Sequence, residues 1–256
     1  MKKHITTAAS VVFLLFMAAS LISCTEESRP AVPDIDSQDK LLVFTKTEGY
    51  RHASIPDGVD ALKAIAAEKG WGIYHTEEAL VFNPDSLSTY RAVIFLSTTG
   101  DILNETQQEA FKGFIQNGGG FAGIHAATDT EYEWPWYGNM VGAYFESHPQ
   151  IQEARLEVID RNHPSTDFLP EEWIRTDEWY NFMDIKPDIN VLINLDESSY
   201  EGGNNGENHP IAWYHEFEGG RIFYTGGGHT SESFSSEPFL NHVTGGIEYV
   251  LQNPAN

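Results

Sequence analysis

The fold is decided by residues 118–130, which read GGGFAGIHAATDT. A glycine run leads into a short apolar run that ends at His125. Glycines let the chain leave a preceding helix, and small residues after His125 let the next turn pass close to the strand end. We therefore predict a buried strand with a histidine at its carboxyl end, where open α/β sheets bind ligands. The alternative is a core histidine that hydrogen-bonds only to backbone.

Apolar runs alternate with a helical pattern before that strand. The sequence predicts strands at residues 41–44, 71–75 and 92–96, and a helix at 104–116 that Asn104 caps. Strands that alternate with helices are typical of parallel sheets. The first half of the chain therefore predicts an α/β protein with a doubly wound, mostly parallel sheet.

The second half of the chain has a different pattern. Residues 151–159 alternate apolar and polar side chains, as a half-exposed strand does. Residues 209–215 and 221–225 indicate a hairpin, and 238–251 a closing helix. These segments predict antiparallel additions to the parallel sheet.

The amino terminus indicates export. Residues 1–23 have a lysine pair and then an uncharged, largely apolar run, which is typical of a signal peptide. Residues 21–24 resemble a bacterial lipobox, which predicts cleavage before Cys24, lipid on Cys24 and a place in the cell envelope, on the periplasmic or surface face. A plain secretory signal is the alternative. Residues 24–39 are polar, acidic and proline-bearing and predict a tether.

Composition narrows the chemistry. The net charge is −23, and the chain has only 15 Lys and Arg, which argues against a nucleic-acid partner. Neutral ligands, cations or sugars fit better. Cys24 is the only cysteine, so cysteine catalysis is excluded. Walker, Rossmann, HExxH and Gly-x-Ser-x-Gly motifs are absent from the sequence.

Histidines and carboxylates remain as the candidate site. His52, His125 and His229 each follow a predicted strand end, so one parallel sheet would bring them to the same edge, with Asp129 and Glu178 nearby. Of the adjacent acids at 177 and 178 we favour Glu178, because neighbouring residues of a strand point opposite ways. Such a group suits proton transfer or a zinc-like ion with an open position. For His52 the alternative is a solvated polar loop.

Aromatic side chains follow the central histidine. Trp134 and Trp136 crowd one loop or short helix. Flat apolar rings pack against the C–H faces of sugars, so these two predict a stacking wall. The alternative is a hydrophobic lid that packs on the core.

Several blocks together resemble the ThuA-like family, which is named for trehalose utilisation. The blocks are residues 119–129, 142–149, 177–180, 210–213, 220–225 and 228–230. The resemblance covers about 40–251 and predicts a ThuA-like domain over 40–256. It implies the class I glutamine amidotransferase-like superfamily, and so a flavodoxin-like three-layer sandwich. That superfamily commonly has a cysteine where this chain has His125, so amidotransferase chemistry is not expected.

The family resemblance implies disaccharide or keto-sugar catabolism and metal binding at the histidines. We expect a lipid-anchored enzyme that acts on a glycoside or 3-keto-sugar derivative, as a hydrolase or a lyase or isomerase. The alternatives are a non-catalytic carbohydrate-binding lipoprotein and a metal-binding protein without sugar chemistry. The expected catalytic residues are His125, His229, Asp129, which would orient a histidine, and Glu178. The expected substrate contacts are His52, His148, Trp134, Trp136 and Tyr180. A divalent metal such as zinc would bind His52, His125, Glu178 and His229.

Overall fold

The computed structural model describes residues 39–252. The predicted signal peptide, Cys24 and all of the predicted tether except Asp39 lie outside the described residues. No helix within residues 39–252 combines the length and the apolar character that a membrane crossing needs. The fold described here is that of the predicted domain.

Strands and helices alternate through the first half of the described chain. The strands, in chain order, are β1 Lys40–Phe44, β2 Gly72–Thr76, β3 Ala92–Leu96, β4 Gly120–Ile124, β5 Tyr144–Ser147, β6 Gln152–Val158, β7 Glu172–Asp177, β8 Asn181–Met183, β9 Asn190–Leu195, β10 Pro210–Phe217 and β11 Gly220–Thr225. The α-helices are α1 Ile55–Lys69, α2 Pro84–Leu87, α3 Glu105–Gln116, α4 Pro135–Val141 and α5 Glu237–Leu251. Short 3₁₀ segments cover Ala79–Val81, His125–Thr128, Glu197–Ser199 and Ser231–Ser235.

The main sheet has two parts. Its nine strands run in the order β2-β1-β3-β4-β11-β10-β9-β6-β7, while β5 pairs with β8 separately. Neighbours from β2 to β11 are parallel, and we call these five strands the parallel half. Neighbours from β11 to β7 are antiparallel, and we call β10, β9, β6 and β7 the antiparallel extension. The predicted α/β class with antiparallel additions is confirmed.

Helices cover both faces of the parallel half. The ring of Phe121 in β4 contacts Phe111 of α3 and Tyr137 of α4, at centroid distances of 5.9 and 6.2 Å. A Cβ on the preceding Gly120 would instead collide with the Val250 carbonyl of α5. Because successive strand residues point to opposite faces, α3 and α5 lie on opposite sides of the sheet. The result is a three-layer sandwich, and the glycine is needed for the close approach of α5.

Helix α3 begins and ends where the sequence predicts. The Asn104 side chain accepts a hydrogen bond from the Gln107 amide at 3.1 Å, and the Gln107 side chain accepts one from the Asn104 amide at 2.9 Å. This capping box satisfies two of the free N–H groups of the first turn. The helix ends before Gly118, whose φ of +87° turns the chain towards β4.

The antiparallel extension curls back over the parallel half. Strand β7 is four positions from β11 in the sheet, so a flat sheet would separate them by about 19 Å. However, the Asp177 carboxylate at the end of β7 lies 2.9 Å from the Gly228 amide, just after β11. The Arg175 guanidinium of β7 packs on the Phe239 ring of α5 at 4.3 Å. Twist therefore wraps the extension around α5 and brings the ends of β7 and β11 together.

Candidate functional site

His125 forms the turn that follows β4. Its φ of +53° lies in the left-handed region, which is costly for a residue with a Cβ, and its side chain is fully buried. Ring Nδ1 lies 3.0 Å from the Gly226 carbonyl oxygen. Since a carbonyl only accepts, Nδ1 carries the proton. Burial lowers the pKa of His125 to about 3, so the ring is neutral and Nε2 keeps a lone pair.

Two other histidines face this lone pair. Nε2 of His125 lies 3.2 Å from Nε2 of His52 and 3.1 Å from Nδ1 of His229. His52 follows β1 and His229 follows β11, so three strands of the parallel half place their histidines at one edge. Burial, then the neighbouring imidazoles, lower the pKa of His52 to about 3. The predicted convergence is present, whereas the chemical roles of the three residues stay predictions.

Glu178 brings negative charge to the histidines. Its Oε2 lies 3.1 Å from Nδ1 of His229 and 3.6 Å from Nε2 of His125, and the residue is buried. Burial alone would lower the pKa of His229, but the hydrogen bond and charge of Glu178 outweigh it, so that this pKa is raised. We call His52, His125, Glu178 and His229 the His/Glu cluster.

Asp177 fixes the backbone on which two members of the cluster stand. Its buried carboxylate accepts five hydrogen bonds, from the side chains of Arg175 and Ser233 and from the amides of Glu178, Gly228 and His229, at 2.8–3.1 Å. It therefore positions Glu178 and His229 together. The positioning role of Asp177 was not predicted from the sequence, because only one of the two adjacent acids, Glu178, was assigned to the site. The available signal was Arg175, which shares a face of β7 with Asp177.

His148 and Tyr180 both lie at the cluster. The Nδ1 atom of His148 is 3.1 Å from Oε1 of Glu178 and 2.8 Å from the Pro149 carbonyl oxygen, and its side chain is 42% exposed. The ring of Tyr180 lies 4.4 Å from that of His125 but is buried. His148 is therefore accessible to a ligand. Tyr180 packs on the His125 ring, and its role as a substrate contact stays a prediction.

The Asp129 carboxylate hydrogen-bonds to a tyrosine. It accepts from the Tyr132 hydroxyl at 2.7 Å, and the Asp129 backbone amide donates to the Ala126 carbonyl at 2.8 Å within the turn. Burial raises the pKa of Asp129, and the Tyr132 hydrogen bond and the charge of His148 partly offset this. Nδ1 of His125 donates to the Gly226 carbonyl, and the orienting role of Asp129 stays a prediction.

Trp134 and Trp136 lie away from the cluster. Their rings stack at 4.9 Å, and the Trp136 ring contacts Phe217 at 5.5 Å. The Trp136 indole N–H donates to Glu218 at 3.0 Å, in the hairpin turn before β11, whereas His229 follows the other end of β11. These indoles pack on the core at the opposite edge of the sheet from the His/Glu cluster. The sugar-stacking role of Trp134 and Trp136 stays a prediction.

The cluster has the dimensions of a metal site. One ligand atom from each of its four residues lies within 4.8 Å of all the others. A tetrahedral zinc ion with bonds of about 2.0–2.1 Å separates its ligand atoms by about 3.4 Å. The four pair distances given above are 3.1–3.6 Å.

The hydrogen bonds around the cluster also favour a cation. The Nε2 lone pair of His125 faces a carboxylate oxygen of Glu178, and a cation between them would bind both. Metal-bound histidines usually donate their other N–H to a carbonyl or carboxylate, as His125 does to Gly226. The donor set, three imidazoles and one carboxylate, suits a divalent zinc-like ion.

Comparison with known families identifies the chain. A family model for ThuA, trehalose utilisation, matches residues 40–250. The chain belongs to the ThuA family. This confirms the resemblance seen in the sequence, and the ThuA family indicates carbohydrate metabolism. No curated protein matches the chain.

Solved structures share the ThuA fold. A ThuA-like protein from Bacteroides uniformis is 23% identical, with a TM-score of 0.71 over 83% of this chain and 91% of that one. A ThuA-like protein from Parabacteroides merdae is 21% identical, with a TM-score of 0.71 over 84% and 91%. A cytoplasmic protein from Salmonella typhimurium is 12% identical, with a TM-score of 0.60 over 82% and 98%. These likenesses establish the flavodoxin-like, amidotransferase-like fold.

Proposed function

We propose that this ThuA-family protein is an enzyme of carbohydrate catabolism that acts on a glycoside or 3-keto-sugar derivative at the His/Glu cluster. The observation that carries the proposal is the cluster itself, with three histidines and one acid buried at the carboxyl edge of the sheet. Polar groups that converge at that edge are typical of active sites in α/β folds.

The cluster would hold a divalent ion such as zinc through His52, His125, Glu178 and His229. Such an ion supplies Lewis acidity, which polarises a carbonyl oxygen of the substrate. Asp177 and the Gly226 carbonyl would keep the ligands in position.

His148 is the group we assign to proton transfer. Its Nδ1 lies against two acceptors, a Glu178 oxygen and the Pro149 carbonyl oxygen, so Nδ1 carries the proton in the neutral ring. Nε2 then has a free lone pair on a partly exposed side chain. A histidine held in one tautomer by a carboxylate is a common arrangement for a general base.

A 3-keto-glycoside offers this base an acidic proton. The carbonyl at C3 acidifies the C–H bond at C2, and Nε2 of His148 takes that proton. The C–H electron pair forms a double bond between C1 and C2 as the glycosidic C1–O bond breaks. The imidazolium returns the proton to the leaving oxygen. The net reaction is an elimination that separates the two sugars.

Metal analysis combined with turnover of oxidised disaccharides tests the proposal. We expect freshly purified protein to contain about one divalent ion and to cleave 3-keto-trehalose or a related keto-disaccharide. His125→Ala and His229→Ala should lose at least about 100-fold in turnover while the fold survives. His75→Gln is the control, since His75 is half-buried and bonds to Thr45 outside the cluster. Unchanged turnover in both cluster variants would contradict the assignment.

A non-catalytic carbohydrate-binding protein is the alternative function. It would use Trp134 and Trp136 as a sugar-binding surface, and these rings lie at the other edge of the sheet. Binding of trehalose without turnover, insensitive to His125→Ala, would favour it.

We further propose that the protein is exported and attached to a membrane by lipid on Cys24. The proposal rests on the sequence of residues 1–24. We expect Cys24→Ser to move the protein from the membrane fraction to the soluble fraction of its cell envelope. An unchanged distribution would contradict the lipid attachment.

A further inference from the structure

One aromatic side chain beside the His/Glu cluster is exposed. Tyr50, two residues before His52, has 66% of its surface exposed. Its ring centroid lies 4.8 Å from that of His52, with the two ring planes at 88°. A large aromatic ring that remains in solvent beside a buried polar cluster presents an apolar face to whatever binds there.

The backbone under Tyr50 is fixed. The Thr99 hydroxyl donates to the Tyr50 carbonyl at 3.0 Å, and the Glu48 amide donates to the Thr99 carbonyl at 2.8 Å. At Gly49 a Cβ would lie only 3.2 Å from the Thr99 hydroxyl oxygen, so the two loops are closely packed. The ring is therefore exposed on a rigid support, and a tyrosine has only two side-chain torsions to restrict on binding.

The charges of this loop do not favour an anionic ligand. Arg51 pairs with Glu77 at 2.7 Å, and Lys46 pairs with Glu48 at 2.9 Å. Both cations of the loop are therefore matched by carboxylates. Residues 45–54 thus offer no unmatched Lys or Arg to a uronate or a sugar phosphate, so this loop suits a neutral sugar.

We propose that Tyr50 is the stacking platform for a neutral pyranose ring. The C–H face of the pyranose packs on the tyrosine ring, which places the sugar beside His52 and the cluster. This inference rests on the proposed function.

Steady-state kinetics of Tyr50 variants test the inference. With 3-keto-trehalose as the probe, we expect Tyr50→Ala to raise KM about tenfold with a smaller change in kcat, because that factor corresponds to about 1.4 kcal/mol, which aromatic packing can supply. Tyr50→Phe and Tyr50→Trp should restore most of the affinity. Tyr74→Ala is the matched control, since Tyr74 is also exposed but lies on edge strand β2 and stacks on Tyr90. Metal content should be equal in all variants.

The comparison with Tyr74→Ala decides the inference. If Tyr50→Ala has the KM of Tyr74→Ala, the inference about Tyr50 is overturned while the proposed function stands. If wild-type protein does not convert 3-keto-trehalose, the proposed function fails and this inference fails with it.

Discussion

The parallel half and the antiparallel extension contribute different groups to the same cluster. His52, His125 and His229 follow β1, β4 and β11 of the parallel half, whereas Glu178 follows β7 of the extension. The histidines meet because parallel strands end at a common edge. Glu178 reaches them only because the extension curls by the width of four strands. Three of the four cluster residues thus depend on strand order, and one depends on long-range curvature.

Metal removal should have the largest effect on the contact between the parallel half and the antiparallel extension. A bound ion would be coordinated by residues of both, so a chelator should abolish turnover and lower the free energy of unfolding. Zinc at about 1,000 times its Kd would contribute about 4 kcal/mol. Calorimetry with and without chelator, followed by zinc return, measures this. Equal melting temperatures and equal turnover in both states would exclude a metal that joins the two parts.

Asp177→Asn should loosen Glu178 and His229, one cluster residue from each part of the sheet. The change leaves the buried Arg175 without its counter-charge and disturbs the amides of Glu178 and His229. We expect a loss of about 3 kcal/mol in stability and a drop in metal affinity of about 10–100-fold. Chemical denaturation and competitive metal titration measure these.

Val158→Ala is the matched control for Asp177→Asn. Val158 is a buried residue of β6 in the same extension. Its truncation should lower stability without changing metal affinity. If both variants lose metal affinity in proportion to stability, Asp177 has no specific positioning role.

Trp136→Ala, at the edge of the sheet opposite the cluster, should lower stability without changing metal content or KM. The ring is half-buried against Phe217 and Trp134, so we expect a loss of about 2 kcal/mol in stability. Metal content and the KM for a keto-disaccharide should stay at wild-type values, since the ring has no contact with the cluster. A selective rise in KM would return Trp136 to the binding site.

Acid should weaken the contact between α5 and the loop that joins β6 to β7. His242 of α5 donates from Nδ1 to the Ser165 carbonyl, and burial lowers its pKa to about 3, below the unfolded value near 6.5. Between these values the unfolded chain binds a proton that the folded chain does not. This stabilisation is full above pH 6.5 and falls by about 1.4 kcal/mol per unit as the pH drops.

His242→Gln provides the comparison, because glutamine keeps an amide donor but does not titrate. The stability difference between wild type and variant should shrink as the pH falls from 6.5 to 5. Urea unfolding at several pH values measures it, and a constant difference would contradict the shift of the His242 pKa.

The sequence was sufficient for the parallel half. Buried apolar runs and the capping box at Asn104 predicted β1, β3, β4 and α3 closely, and a polar residue after each strand predicted the three histidines. These features are local or follow from strand order. The environment of His125 was not local, since its Nδ1 partner comes from Gly226, about a hundred residues later.

Two expectations rested on position along the chain. Asp129 and Trp136 follow His125 in sequence, but their side chains hydrogen-bond to Tyr132 and Glu218. The role of Asp177 was missed because its partners Gly228 and His229 follow another strand. Proximity along the chain is a poor guide once a short turn redirects it.

The turn after β11 has one more consequence. Residues 226–229 contain the carbonyl that fixes His125, the Gly228 carbonyl that accepts from Ser54 near His52, and His229 itself. All three imidazoles therefore depend on four consecutive residues. A fluctuation of this short segment would release them together rather than one at a time, so the cluster should assemble and open as a single cooperative unit.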